Sequence, residues 1–106
     1  MKNQDSQPKK IRVRVDPDLQ DLIPDYLENR KKDLLVYQQA LEKDDFDSIT
    51  VLSHSMKGSG GGYGFNDLSS IGRAIEKAAK NRDKESVRKS IIVLTDFLTK
   101  LEVVYD

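Results

Sequence analysis

Cysteine is absent from the chain and histidine occurs once. These two shortages exclude a disulfide framework, a thiolate nucleophile, a Cys-based zinc site and a His-rich metal centre. No apolar run approaches the roughly 18 residues a membrane-spanning helix needs, and the basic start MKNQDSQPKK has no apolar stretch after it, which argues against a signal peptide. Charge of one sign is also lacking: 18 Lys and Arg balance 18 Asp and Glu, so no strong overall field draws the chain to nucleic acid or to a membrane surface. At 106 residues the chain is bounded to one domain, which rules out a two-domain enzyme, and 37% apolar residues suffice for one modest core. A soluble cytoplasmic protein, without nucleic-acid or membrane partners, is the default expectation.

What charge there is lies unevenly. Residues 1 to 15 hold Lys2, Lys9, Lys10, Arg12 and Arg14 against Asp5 alone, a net +4, and the remaining 13 basic and 17 acidic residues leave the body at −4. Residues 1 to 10 have no apolar content beyond Met1 and are expected to be disordered. Ile11, Val13 and Val15 alternate with Arg12 and Arg14, a pattern open to a short strand or an extended arm. The arm is favoured, because an isolated strand has nothing to pair with. Residues 1–15 are thus expected to be a disordered or extended basic tail and 16–106 the folded unit.

The body reads as helices. After Asp16-Pro17 a short helical turn fits Leu19, Leu22 and Ile23, and Pro24 suits a first helical turn, where its missing N–H costs nothing. A long helix is expected from about Pro24 to Lys43, with Leu27, Leu34 and Leu41 at seven-residue intervals and Tyr37 between the last two. The next begins near Asp44 or Asp45, whose carboxylates suit a helix N-terminus, and carries Phe46, Ile49, Leu52 and Met56. A third runs from about Asn66 to Asn81 on a stripe of Leu68, Ile71, Gly72, Ile75 and Ala79. A fourth runs from about Asp83 to Val104, with Val87, Ile91, Leu94, Leu98, Leu101 and Tyr105 spaced by fours and threes. Short connections between four amphipathic helices imply an all-α, antiparallel four-helix bundle.

Between the second and third helices lies Gly58-Ser59-Gly60-Gly61-Gly62-Tyr63-Gly64, which by propensity alone ends the helix. The wheel says otherwise. Ser59 and Tyr63 fall on the side of Leu52 and Met56, so burial of Tyr63 is expected to carry the helix at least one turn past Gly58.

The same wheel singles out His54. At about 100 degrees per residue, Ile49, Leu52, Met56 and Tyr63 lie roughly 160 to 220 degrees away from it. Thr50, Val51, Lys57, Gly58 and Gly61 share its outward side, within about 60 degrees. An exposed imidazole beside glycines that weaken their own helix suggests a place another molecule must approach closely. Imidazole is also nucleophilic near neutral pH, since an unperturbed pKa of about 6.5 leaves a large neutral fraction. Attack on phosphorus yields a phosphoramidate, whose added negative charge Lys57 at i+3 is placed to offset.

The run from His54 through Met56, Lys57, Gly58, Gly61 and Gly64 to Phe65, followed by Leu68, Ile71, Gly72 and Ile75-Glu76-Lys77-Ala78-Ala79, resembles the histidine-containing phosphotransfer (HPt) domain. The likeness extends over about residues 16 to 104, with Gly60 and Gly62 additional to the pattern. It implies a phosphocarrier with no ATP site, no cofactor and no metal of its own. His54 would be the phosphoacceptor, Lys57 its electrostatic support and Gly58 its clearance, with a receiver docking over Thr50, Val51 and Gly61. The implied partners are a response-regulator receiver domain, which would bring Mg²⁺ with its aspartate, and a histidine kinase or hybrid histidine kinase, the chain acting as a monomer.

Two competing readings are weaker. A phosphate-binding loop needs Lys-Ser or Lys-Thr after its last glycine, whereas Lys57 precedes the run and Phe65-Asn66 follow it. A bundle that docks on a kinase without carrying phosphate is the main alternative from another class, and loss of the histidine would mark it; His54 is present.

Overall fold

The computed structural model describes residues 9–106. The disorder expected at the start of the chain falls, for residues 1–8, outside the described residues. In chain order the elements are strand β1 (Ile11–Val15), a single 3₁₀ turn (Pro17–Leu19), helices α1 (Ile23–Glu42), α2 (Phe46–Gly62), α3 (Asn66–Lys80) and α4 (Lys84–Lys100), and strand β2 (Leu101–Tyr105). The four helices expected from periodicity are all present. α1 packs on α2 and α4, and α3 packs on the same two, so the helices close a ring. Its centre is filled by Tyr37, Ile49, Met56, Phe65, Leu68, Ile75, Val87 and Leu94, each shielded almost completely from solvent.

One device makes all three turns between helices. After α1, α2 and α3 the chain places a single residue in the left-handed region, Asp44 at φ 55°, Gly64 at φ 90° and Arg82 at φ 53°. The next N–H then bonds back five residues: Asp45 to the Ala40 carbonyl at 2.8 Å, Phe65 to Gly60 at 2.7 Å and Asp83 to Ala78 at 3.0 Å. These are Schellman closures, which satisfy the carbonyls left over at a helix end. The residue that closes one helix also caps the next. Asp45 and Asp83 accept from the backbone N–H groups of Ser48 and Ser86, both at 3.1 Å, while Phe65 caps by burial and not by a side-chain bond.

Two expectations are corrected at the chain ends. Ile11–Val15 is a strand, the alternative set aside above in favour of an extended arm, and the fourth helix stops at Lys100 and not near Val104. The two errors are one, because the missing partner for β1 is β2. The strands pair in parallel, from Ile11 opposite Leu101 to Val15 opposite Tyr105. Leu101 and Tyr105 suit either a helical seam or an alternating strand. Val103 fits only the alternation, and the β-branched pair Val103-Val104 favours an extended chain once a partner exists. Val15 is buried, and Ile11, Val13, Leu101, Val103 and Tyr105 pack against the core from outside it. On the solvent side Arg12 reaches Glu102 at 3.2 Å and Arg14 reaches Asp106 at 3.8 Å. Among the described residues the fold is therefore four helices plus a two-stranded parallel sheet, and not wholly helical.

Candidate functional site

The site is built where α2 and α3 touch backbone to backbone. A Cβ on Gly72 of α3 would stand 2.8 Å from the Lys57 nitrogen and 2.9 Å from the Ser53 carbonyl oxygen. One on Gly60 of α2 would stand 2.8 Å from the Ser69 nitrogen. Each helix thus supplies a glycine against the other's main chain. The Ser69 hydroxyl donates to the Lys57 carbonyl at 2.8 Å, and the buried Ser53 hydroxyl turns back onto its own helix at Ile49, 2.7 Å away. Both serine hydroxyls at this contact are thus hydrogen-bonded to main-chain carbonyls.

α2 passes unbroken through Gly58 to Gly62, against its propensity. Tertiary contacts hold it: Tyr63 stacks on Tyr26 of α1 at 4.2 Å between centroids, and the Tyr26 and Ser59 hydroxyls share a hydrogen bond of 2.9 Å. Gly60, an addition to the family pattern, is buried in the α2–α3 contact. Around a Cβ on Gly58, Gly61 or Gly62, by contrast, nothing among the described residues lies within 4 Å beyond the adjoining backbone of α2 itself.

Glu76 follows Gly72 by one turn and therefore meets α2 one turn from the closest contact. Its carboxylate is the hub of the site: Oε2 lies 2.9 Å from His54 Nδ1 and 3.4 Å from Lys80 Nζ, and Oε1 lies 2.9 Å from Lys57 Nζ. The His54 side chain is 68% exposed, whereas that of Glu76 is only 8% exposed. The Lys57 hydrogen bond, joined by those of His54 and Lys80, outweighs the effect of burial and holds the Glu76 carboxyl down at a pKa of about 2. An ionised carboxylate only accepts, so Nδ1 must carry the proton and donate it. In the neutral ring this tautomer places the lone pair on Nε2, which has, among the described residues, no protein partner.

Of the residues singled out in the sequence, the structure brings His54 and Lys57 together through Glu76. Val51 stands out as an exposed apolar side chain, and Gly58 and Gly61 are open. The Thr50 hydroxyl is occupied, donating to the Phe46 carbonyl at 2.8 Å. Glu76 and Lys80 were not among the site residues read from the sequence. The available signal was a carboxylate at i+4 from Gly72, on the side of α3 that carries its apolar stripe. Among the described residues no group of three or more His, Asp or Glu is placed to hold a metal ion, and no helix is long and apolar enough to cross a membrane.

This geometry agrees with the family comparison. The model of the Hpt domain matches residues 15–103, and the chain belongs to that family. Comparison with curated proteins and with solved structures returns no significant match. Hpt domains are phosphocarrier modules of two-component phosphorelays and not enzymes.

Proposed function

We propose that His54 accepts a phosphoryl group at Nε2 from the aspartyl phosphate of a response-regulator receiver, or from a histidine kinase, and passes it to the aspartate of another receiver. What carries this reading is the Nδ1 contact to an ionised Glu76, which fixes the tautomer. The Nε2 lone pair attacks phosphorus, the P–O bond to the aspartate breaks, and the carboxylate departs with the bonding pair. The ring becomes an imidazolium that keeps its Nδ1 proton, and Glu76 faces the new charge. On donation a carboxylate oxygen of the accepting receiver's aspartate attacks phosphorus and forms the new P–O bond, the P–Nε2 bond breaks, its electron pair returns to Nε2, and neutral imidazole leaves. No proton moves in either direction.

Lys57 supports the site electrostatically through its pairing with Glu76. The open face at Gly58 gives the receiver aspartate room to approach, and Thr50, Val51 and Gly61 form the surrounding docking surface, with the receiver contributing Mg²⁺. The chain needs no nucleotide of its own for this, and it works as a cytoplasmic monomer. Incubation with phosphorylated receivers in Mg²⁺, followed by intact mass, tests the reading. The chain should gain one acid-labile, base-stable phosphate and His54→Gln should gain none. Labelling of the Gln variant at an unchanged rate would overturn it.

A further inference from the structure

We propose that Lys80, and not Lys57, is the cation that moves onto the phosphoryl group once His54 carries it, while Lys57 stays on Glu76. The inference rests on phosphorylation of His54 and adds a second positive group to that site.

The two lysines hold Glu76 differently. Lys57 Nζ takes Oε1 at 2.9 Å, and its side chain is 30% exposed. Its backbone is pinned by the Gly72 contact and by the Ser69 hydroxyl. Lys80 Nζ takes Oε2 at 3.4 Å, its side chain is 63% exposed, and it is the last residue of α3. Lys80 therefore shares an oxygen with His54 Nδ1, and Lys57 does not.

Phosphorylation acts on that shared oxygen. The imidazolium formed on transfer turns the Nδ1–H···Oε2 bond into one between two charges, which is shorter and stronger. The weaker partner on the same oxygen is then in excess, and the new phosphoryl oxygens beside the ring are a better anion for it than a carboxylate already satisfied by His54 and Lys57. A long, exposed side chain makes this exchange without burying a charge. Lys80 also borders an open cleft of about 320 Å³ along α3, lined by Arg73, Glu76, Lys77, Lys80 and Asn81, which leaves its side chain room to change rotamer.

The test needs no protein partner. The full chain is phosphorylated with potassium phosphoramidate, and lysine side-chain NMR signals, assigned with Lys57→Arg and Lys80→Arg, are compared before and after. The Lys80 signal should move and the Lys57 signal should move less. In ³¹P titrations of the phosphorylated chain, Lys80→Ala should raise the ionisation midpoint of the phosphoryl group by roughly half a pH unit, the size of one exposed ion pair. Lys80→Arg should restore the midpoint, and Lys31→Ala, which removes a cation on α1, should not move it. A shift at Lys57 with Lys80 unmoved, or a Lys80→Ala midpoint equal to that of the parent chain, overturns the proposal. If phosphoramidate leaves position 54 unlabelled, no phosphohistidine ³¹P signal exists and the carrier reading itself falls, an outcome distinct from the first two.

Discussion

Gly72 and Lys57 meet main chain to main chain, so closely that a methyl group on Gly72 would lie 2.8 Å from the Lys57 nitrogen. That contact sets the distance between the helix bearing His54 and the helix bearing Glu76. Gly72→Ala should therefore push α2 and α3 apart, costing about 1–3 kcal/mol through overpacking that outweighs the gain of roughly 1 kcal/mol in helix propensity. It should also slow phosphotransfer by lengthening the His54–Glu76 contact. Urea unfolding and transfer kinetics on the same variant check both effects.

Gly58 predicts the reverse. Its outward side is empty, so Gly58→Leu should keep or raise the melting temperature through better helix propensity. Its side chain would project beside the imidazole, and transfer from a phosphorylated receiver should fall strongly. Normal transfer by this variant would remove the clearance role given to the glycine.

Glu76 makes stability depend on acid. Its pKa is lowered from 4.5 to about 2 in the folded chain, by the Lys57 hydrogen bond foremost. A carboxyl depressed on folding contributes stability above its unfolded pKa, and this contribution is lost as pH falls from about 4.5 toward 2. Glu76→Gln should flatten that part of the profile, measured as the urea midpoint against pH by circular dichroism. The same variant should slow phosphotransfer, since a neutral amide faces the imidazolium less favourably.

Lys57→Ala should lower the stability of the fold above about pH 4.5, because Glu76 is only 8% exposed and loses the foremost of the hydrogen bonds that hold its charge, with His54 and Lys80 remaining as partners. Phosphotransfer should slow moderately, and more at low ionic strength, where screening is weakest. Stopped-flow transfer measured at two salt concentrations distinguishes this from a lysine that is only solvated.

Titration with a cognate receiver should shift amide signals around Thr50, Val51, His54, Lys57, Gly58 and Gly61. Val51 is 71% exposed and apolar, so Val51→Glu should weaken receiver binding with little change in melting temperature. Shifts confined to α4 would contradict this placement.

Most of the helical frame was legible because its signals are local. Leu68, Ile71, Ile75 and Ala79 declare one face, and Asp45 and Asp83 sit where a helix N-terminus needs an acceptor. His54 was legible for the same reason, since its angle to Ile49, Leu52 and Met56 is a property of one helix. Gly58–Gly62 required propensity to be set against packing, and the wheel position of Tyr63 decided in favour of packing. Glu76 enters the sequence reading within the run that resembles the HPt pattern but without a role at the site, because that role depends on which face of α2 lies opposite, a relation between two helices. β1 and β2 are a harder case: neither is a strand without the other, and nothing near either one announces its partner.

That partnership bears on the order of folding. The Arg12–Glu102 pair closes a separation of 90 residues, and in an unfolded chain such a closure costs about 4 kcal/mol in its length-dependent entropy alone. The three turns between helices close over a few residues each, and local contacts form first. The helices are therefore expected to assemble before the strands meet, the assembled bundle bringing the two ends near enough to pair. The sheet should then be the last part to form and the first to open, and native-state hydrogen exchange should find the β1 and β2 amides leaving at a lower free energy than those of α2 and α3, with the ring of helices still closed.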